Sequence, residues 1–265
     1  MEPEMMGTVY FIGAGPGAPD LITVRGMRIL QHADVVIYAG SLVSSQLIQE
    51  SSAHAEHFDS SSLNLDQILE RMVEAARQGL TVARLHSGDP AVYGAIREQM
   101  IALRTLRIPF EVVPGVSSVF AAAALLETEL TVPGISQTVI LTRTEGRASP
   151  MPPGASLRDL AAIPATLAIF LSAALVGRMV EDLLEGGMAP TTPVVVVVRA
   201  TWPDQQVIWS SLETLRRDVR DARIQRHALF LIGPALAADV EGGGYSRLYD
   251  KTYTHMFRRG ASGEP

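Results

Sequence analysis

The sequence predicts an α/β protein in two parts, and three observations predict it. In the first half, a short β-rich run, a glycine- and proline-rich turn and an apolar pattern of helical period follow one another three times, after residues 8–12, 80–85 and 110–113. Residues 193–198 are apolar throughout, as strands in a sheet interior are. Between residues 130 and 164 the periodicity weakens into a segment carrying Pro150, Pro152 and Pro153, which places a domain boundary there.

The central turn organises the rest. Leu85-His86-Ser87-Gly88-Asp89-Pro90-Ala91-Val92-Tyr93-Gly94 closes its run, and Tyr93, Ile96, Met100 and Leu103 then share one helical face. The expected local structure is a strand, a tight loop and a helix, with Pro90 in the first helical turn and Asp89 as an acceptor just ahead of it. Such a turn lies at the carboxyl end of a strand, where open parallel sheets bind ligands. The same residues also suit a plain helix cap.

Composition narrows the function. At 265 residues the chain has room for one large or two modest domains, and 47% of its residues are hydrophobic. No apolar run reaches membrane-spanning length, so no membrane partner is expected. The acidic start, Met1-Glu2-Pro3-Glu4, lacks the basic and apolar segments of a secretory signal, which gives a cytoplasmic expectation. There is no cysteine, which excludes disulfides, thiolate metal sites, iron–sulfur clusters and cysteine nucleophiles. A net charge of −6 argues against nucleic acid as a partner. Lys251 is the only lysine, near the C-terminus, which argues against a Schiff-base mechanism.

In chain order, residues 8–12 end in Gly13-Ala14-Gly15-Pro16-Gly17-Ala18-Pro19-Asp20, and Leu21, Val24, Met27 and Ile29 or Leu30 follow at helical spacing. Gly13, Gly15 and Ala18 fit the dinucleotide-binding pattern, so a nicotinamide or flavin enzyme is one reading. Against it, Pro16 and Pro19 remove N–H donors from the loop, and the next strand, residues 34–38, ends in Ala39-Gly40-Ser41 with no acid for a ribose hydroxyl. Asn64 and Gln67 form a capping pair for a helix whose apolar face is Leu65, Ile68, Leu69, Met72, Val73 and Ala76. The third turn is Pro114-Gly115-Val116-Ser117-Ser118, ahead of an alanine-rich helix to Leu126. Its serines either cap that helix or join the other turns in one ligand site.

In the second part, strands are expected at 139–143, 167–171, 193–198 and 228–232, with a helix presenting Val176, Met179, Val180, Leu183 and Leu184. The strand at 193–198 runs out into Arg199-Ala200-Thr201-Trp202-Pro203-Asp204-Gln205. Ser210 and Glu213 read as a capping box for a helix over 212–219. Arg216, Arg217, Arg220, Arg223 and Arg226 are interrupted by Asp218 and Asp221, so they read as a solvated helix face rather than an RNA-binding one.

Taken together, Gly13-Ala14-Gly15-Pro16-Gly17 with Asp20-Leu21-Ile22-Thr23, then Gly88-Asp89-Pro90, then Pro114-Gly115-Val116-Ser117-Ser118 resemble the successive signatures of the tetrapyrrole methylases. The resemblance runs from Thr8 to Ile232. It implies two αβα domains, the N-terminal one with a mainly parallel sheet and the C-terminal one with a mixed sheet. The cofactor is expected in the cleft between them. The domains are placed at residues 7–130 and 136–250, with a loose tail at 251–265. Tyr38-Ala39-Gly40-Ser41-Leu42-Val43, the stretch from Leu85 to Gln99, and Ser136 to Arg143 with Glu145-Gly146-Arg147 are most similar to the branch that methylates precorrin-4 at C-11. The uroporphyrinogen methylases carry an aspartate and an arginine where this chain has Ala39-Gly40-Ser41.

The resemblance implies S-adenosylmethionine as cofactor, S-adenosylhomocysteine as product, a tetrapyrrole (precorrin-4) as substrate, no metal and a homodimer. Pro16, Ser87, Gly88, Asp89, Val92, Ser117 and Ser118 are the expected cofactor-binding residues, with Leu171 and Ala200 reaching the cofactor from the second domain. Arg84, Arg97, Arg143 and Arg147 flank the expected turns and are candidates for the substrate's carboxylate arms, because arginine forks carboxylates. His86 and Arg143 are the candidates for proton handling or substrate orientation. Sister methylases acting on cobalt-precorrin-4 or another ring carbon, an RNA methylase and a tetrapyrrole carrier are the alternatives.

Overall fold

The computed structural model describes residues 6–146, 150–237, 250–254 and 256–259. Arg147 lies outside them, as do residues 255 and 260–265 of the expected tail. By internal contacts the chain divides into two compact units, one of Met1–Ala122 with Arg199–Gln205 and one of Ala123–Val198 with Gln206–Pro265.

The first unit holds β1 (Val9–Gly13), β2 (Val35–Tyr38), β3 (Glu56–Asp59), β4 (Val82–His86) and β5 (Phe110–Val113), in the order β3-β2-β4-β1-β5. Every neighbouring pair is parallel. Its helices are α1 (Val24–Leu30), α2 (Ser45–Gln49), α3 (Leu65–Arg77), α4 (Arg97–Thr105) and the first part of α5 (Ser118–Leu125), whose residues after Ala122 belong to the second unit. Alternation along the strands sends side chains to opposite faces. Val9, Phe11, Ile37 and Val82 pack against Ile68, Met72, Ile96 and Leu103 of the α3 and α4 side. Ile12, Val36, Ala83 and Leu85 pack against Leu30 and Leu47 of α1 and α2. The chain therefore leaves the adjacent strands β1 and β4 toward opposite faces. At such a switch point the departing segments diverge and leave a crevice beyond the strand ends.

The helix after Asp89 begins later than its sequence suggests. Residues 90–93 form a turn, Tyr93 and Ala95 take positive φ of 57° and 50°, and α4 starts only at Arg97. The cause is local competition for donors. Asp89 Oδ1 accepts from Ala91 N at 2.8 Å, a side-chain turn that takes the place of a first helical turn. The Asn64–Gln67 capping box at α3 does form, with both reciprocal bonds at 3.0 Å.

The second unit holds β6 (Val139–Arg143), β7 (Thr166–Phe170), β8 (Pro193–Val198), β9 (Gln206–Ser211) and β10 (Ala228–Ile232), in the order β6-β7-β10-β8-β9. β6 and β7 are parallel and the other pairs antiparallel, so this sheet is mixed. Leu167, Ile169, Val194, Val196, Phe230 and Ile232 pack against α7 (Val176–Glu185) and α8 (Leu215–Asp221). A short α6 (Leu157–Ala161) is opened by a capping box between Ser156 and Asp159. The capping box expected at Ser210 and Glu213 is absent because Ser210 lies within β9. Its hydroxyl instead donates to Asp218 Oδ2 at 2.8 Å, one turn into α8.

Candidate active site

Because β4, β1 and β5 are adjacent and parallel, the turns that follow them emerge side by side at one edge of the first unit's sheet. The first two turns are joined by main-chain bonds. Ala14 N donates to the His86 carbonyl at 2.7 Å, Gly88 N to the Gly15 carbonyl at 2.7 Å, and Gly15 N to the Gly88 carbonyl at 3.3 Å. The third closes on both. A Cβ on Gly115 would lie 2.2 Å from the Gly88 carbonyl oxygen and 2.6 Å from Gly13 Cα, so only glycine permits this approach. Asp89 ties the second turn to the third, its Oδ2 accepting from Gly115 N at 2.8 Å. Thr23 caps α1 by accepting from Gly26 N at 3.1 Å and donates to the Pro114 carbonyl at 3.4 Å.

The residues expected to hold a cofactor fall mostly on this edge. Pro16 and Gly88 are buried, Ser87 is exposed, and Asp89 and Val92 are half-buried. Ser117 is buried and Ser118 opens α5. Ala200 is buried and, by its contacts, belongs to this first unit. Leu171 is in the second unit, just after β7, with positive φ of 53° and 70% of its surface exposed.

The expected substrate and proton-handling residues are more scattered. Arg84 and His86 point from β4 into the layer shared with α3 and α4, and both are buried. Arg84 Nη1 donates to Ser60 Oγ at 2.8 Å, while its buried Nε has no partner among the described residues. Burial lowers the guanidinium to about 10, so it stays cationic at neutral pH. Burial, reinforced by the nearby Arg84 charge and opposed by a hydrogen bond to the Gly94 main chain, pushes His86 down to about 3. The imidazole is therefore neutral, and its buried Nε2 has no partner among the described residues.

Arg97 is the exposed first residue of α4. Arg143 ends β6 in the second unit, half-buried, donating to the carbonyls of Thr144 at 3.3 Å and Pro150 at 3.4 Å. It shares an edge with Leu171, because β6 and β7 run parallel with Arg143 opposite Phe170. Thr144 N donates to Ser172 Oγ at 2.8 Å across that edge.

Sequence reading missed four contributors. Ser60 anchors Arg84, Thr201 and Trp202 bond to the first turn, and Arg199 covers the Trp202 ring. Local pattern gave no signal for the last three, since the loop Arg199–Gln205 has no periodicity and meets the first turn only after folding.

Comparison with known proteins agrees with this geometry. The profile of the tetrapyrrole (corrin/porphyrin) methylases matches residues 8–216. A precorrin-4 C(11)-methyltransferase of Pseudomonas aeruginosa is 49% identical over 253 residues, 96% of this chain and 99% of that one. Among solved structures, a cobalamin biosynthetic enzyme, cobalt precorrin-4 methyltransferase, superposes with a TM-score of 0.84 at 48% identity, covering 86% of this chain and 95% of that one. Uroporphyrin-III C-methyltransferase of Thermus thermophilus, solved with S-adenosylhomocysteine, gives 0.75 at 28% identity, covering 88% and 100%. Three glycine turns joined at the carboxyl edge of a parallel sheet, in a chain matched over most of its length, make it a member of the tetrapyrrole (corrin/porphyrin) methylase family.

Proposed function

We propose that the chain transfers the methyl group of S-adenosylmethionine to C-11 of precorrin-4, giving precorrin-5 and S-adenosylhomocysteine in cobalamin biosynthesis. The observation that carries this reading is the closure of the turns at Gly13, Gly88 and Gly115 in a chain 49% identical to an enzyme of that name.

The residues fit the cofactor. Its amino acid end needs hydrogen bonds, its adenine needs main-chain and apolar contact, and its methyl must stay open to the substrate. Ser87 offers an exposed hydroxyl, Val92 and Val116 are half-buried, and Ala200 is buried. The space beside Gly88 is lined by Ser117 Cα and Ser118 N, 3.8 and 3.9 Å from where a Cβ would sit. Asp89, with both oxygens taken by main-chain donors, braces this space.

Bound S-adenosylmethionine supplies a methyl on a sulfonium, already a good leaving group, so the chain's part is orientation and exclusion of water. A ring carbon that becomes fully substituted has no hydrogen to lose, and the departing proton comes from a ring nitrogen. Arg97, Arg143 and Arg147 are carried from the sequence as the candidates for the carboxylate arms, because arginine forks carboxylates. Arg84, buried against Ser60, supports the sheet edge instead. His86, neutral and bonded to Gly94, holds the loop around Ser87–Val92. Ala200, buried within the first unit, adds to the cofactor's surroundings in this reading, and Leu171 is carried from the family resemblance.

Family resemblance further supports a homodimer. No helix among the described residues is long and apolar enough to cross a membrane. The test is incubation with S-adenosylmethionine and either precorrin-4 or its cobalt form, followed by mass spectrometry and carbon NMR with a labelled methyl. One added methyl at C-11 is expected. A methyl on another carbon moves the chain to a sister step, and the faster of the two substrates identifies the metal state used.

A further inference from the structure

The segment Arg199–Gln205 is held in an unfavourable main-chain conformation by contacts within itself and by contacts to the first glycine turn. Arg199 and Thr201 have positive φ of 49° and 69°, an uncommon state for a non-glycine residue and a costly one for the β-branched Thr201. Such residues persist only where their surroundings over-determine them. Trp202 Nε1 donates to the Pro16 carbonyl at 2.8 Å. Ala18 N donates to Thr201 Oγ1 at 2.9 Å. The indole lies so close over Gly17 that a Cβ there would fall 2.3 Å from the ring. Arg199 covers the indole with its guanidinium 4.2 Å from the ring centre, and is steadied by Asp204 at 2.8 Å. Gln205 Oε1 accepts from Thr201 N at 2.8 Å and closes the segment on itself.

The bonded groups are those that a glycine- and proline-rich turn leaves unsatisfied. Pro16 and Pro19 bring no N–H, and a turn of this composition has few bonds of its own to fix it. Thr201 and Trp202 supply one acceptor and one donor, to residues on either side of Gly17. We propose that Thr201 and Trp202 are positioning residues that set the cofactor affinity of the first turn by fixing Pro16–Ala18, with Arg199 holding the indole in place. This rests on the reading of Pro16 as part of the cofactor site.

Trp202→Phe keeps the ring over Gly17 and beneath Arg199 but removes the N–H. Thr201→Val keeps the shape and removes the acceptor, whereas Thr201→Ser restores it. Calorimetric titration with S-adenosylhomocysteine should show Kd raised about tenfold by Trp202→Phe and by Thr201→Val, as the loss of one hydrogen bond from a constrained turn implies. Thr201→Ser should stay within about threefold of wild type. In steady-state turnover the same variants should raise the KM for S-adenosylmethionine and leave kcat near the wild-type value.

A second readout needs no turnover and no loss of a contact. The chain has two tryptophans, and Trp209 is 55% exposed on β9. In a Trp209→Phe background the emission of Trp202 should shift on titration with S-adenosylhomocysteine. The proposal is overturned if Trp202→Phe and Thr201→Val bind S-adenosylhomocysteine as wild type does, if Thr201→Ser binds as weakly as Thr201→Val, or if kcat falls while KM is unchanged. If wild type itself binds no S-adenosylhomocysteine, the proposed function falls with it.

Discussion

Replacing His86 by Asn tests the electrostatics of the central strand in a way that stability alone reports. The imidazole is 8% exposed and its pKa is lowered to about 3, chiefly by burial, from an ordinary value near 6.5. A group with a depressed folded-state pKa of this kind is neutral in the folded chain and protonates first in the unfolded one. Below about pH 6.5 the unfolded state therefore binds the extra proton, and stability falls as pH falls toward 3. Between pH 8 and pH 5 the difference in protonation free energy is about 1.5 pK units, or about 2 kcal/mol at 1.36 kcal/mol per unit. Asparagine keeps a donor for the Gly94 carbonyl but has no proton to gain, so the variant lacks this increment.

Urea unfolding of wild type and His86→Asn at pH 8 and pH 5 isolates the effect, because every other titrating group is common to both chains. Wild type should lose about 2 kcal/mol more than the variant over that interval. In thermal unfolding the same difference corresponds to roughly 4–8 °C for a chain of this size. Equal losses in the two proteins would mean that His86 is already exposed or charged in the fold, and the placement of the neutral imidazole against Gly94 would be refuted.

Three further outcomes follow from the site. Gly115→Ala places a methyl against the Gly88 carbonyl and Gly13, both main chain and unable to yield. It should cost about 1–3 kcal/mol or more and abolish S-adenosylhomocysteine binding, as calorimetry would show. Asp89→Ala strips the acceptor from Ala91 N and Gly115 N; a cost of about 1–3 kcal/mol in urea unfolding is expected, with weaker cofactor binding, and Asp89→Asn should recover part of both. Arg143→Ala should raise the KM for the macrocycle about tenfold and leave the Kd for S-adenosylhomocysteine unchanged. An unchanged macrocycle KM would remove Arg143 from the substrate site.

The sequence by itself carried the strand, turn and helix recurrences, because glycine, proline and small polar residues punctuate the chain where a parallel sheet needs turns. It also carried the interior strand β8, whose unbroken valines suit burial on both faces. It did not carry β3 or β9. Both lie at sheet edges, and the exposed Glu56, His57 and Asp59 of β3 show none of the alternation that a half-buried strand displays. The late start of α4 escaped for a similar reason. Ser-Gly-Asp-Pro suits a helix cap and a side-chain turn equally well, and in the fold Asp89 makes the turn through Oδ1 on Ala91 N while its Oδ2 takes Gly115 N.

For the site, residue types at the three turns marked where a ligand belongs, but not which way β4 turns its side chains. Arg84 and His86 sit in the core layer because alternation along the strand, set by Val82 against α3, sends them there. The clasp on the first turn is the purest case of what folding alone decides. Trp202 stands 186 residues from Pro16 and Thr201 stands 183 from Ala18, so no local pattern links them. Their bonds exist because the packed chain leaves a turn with unsatisfied main-chain groups beside a loop able to satisfy them.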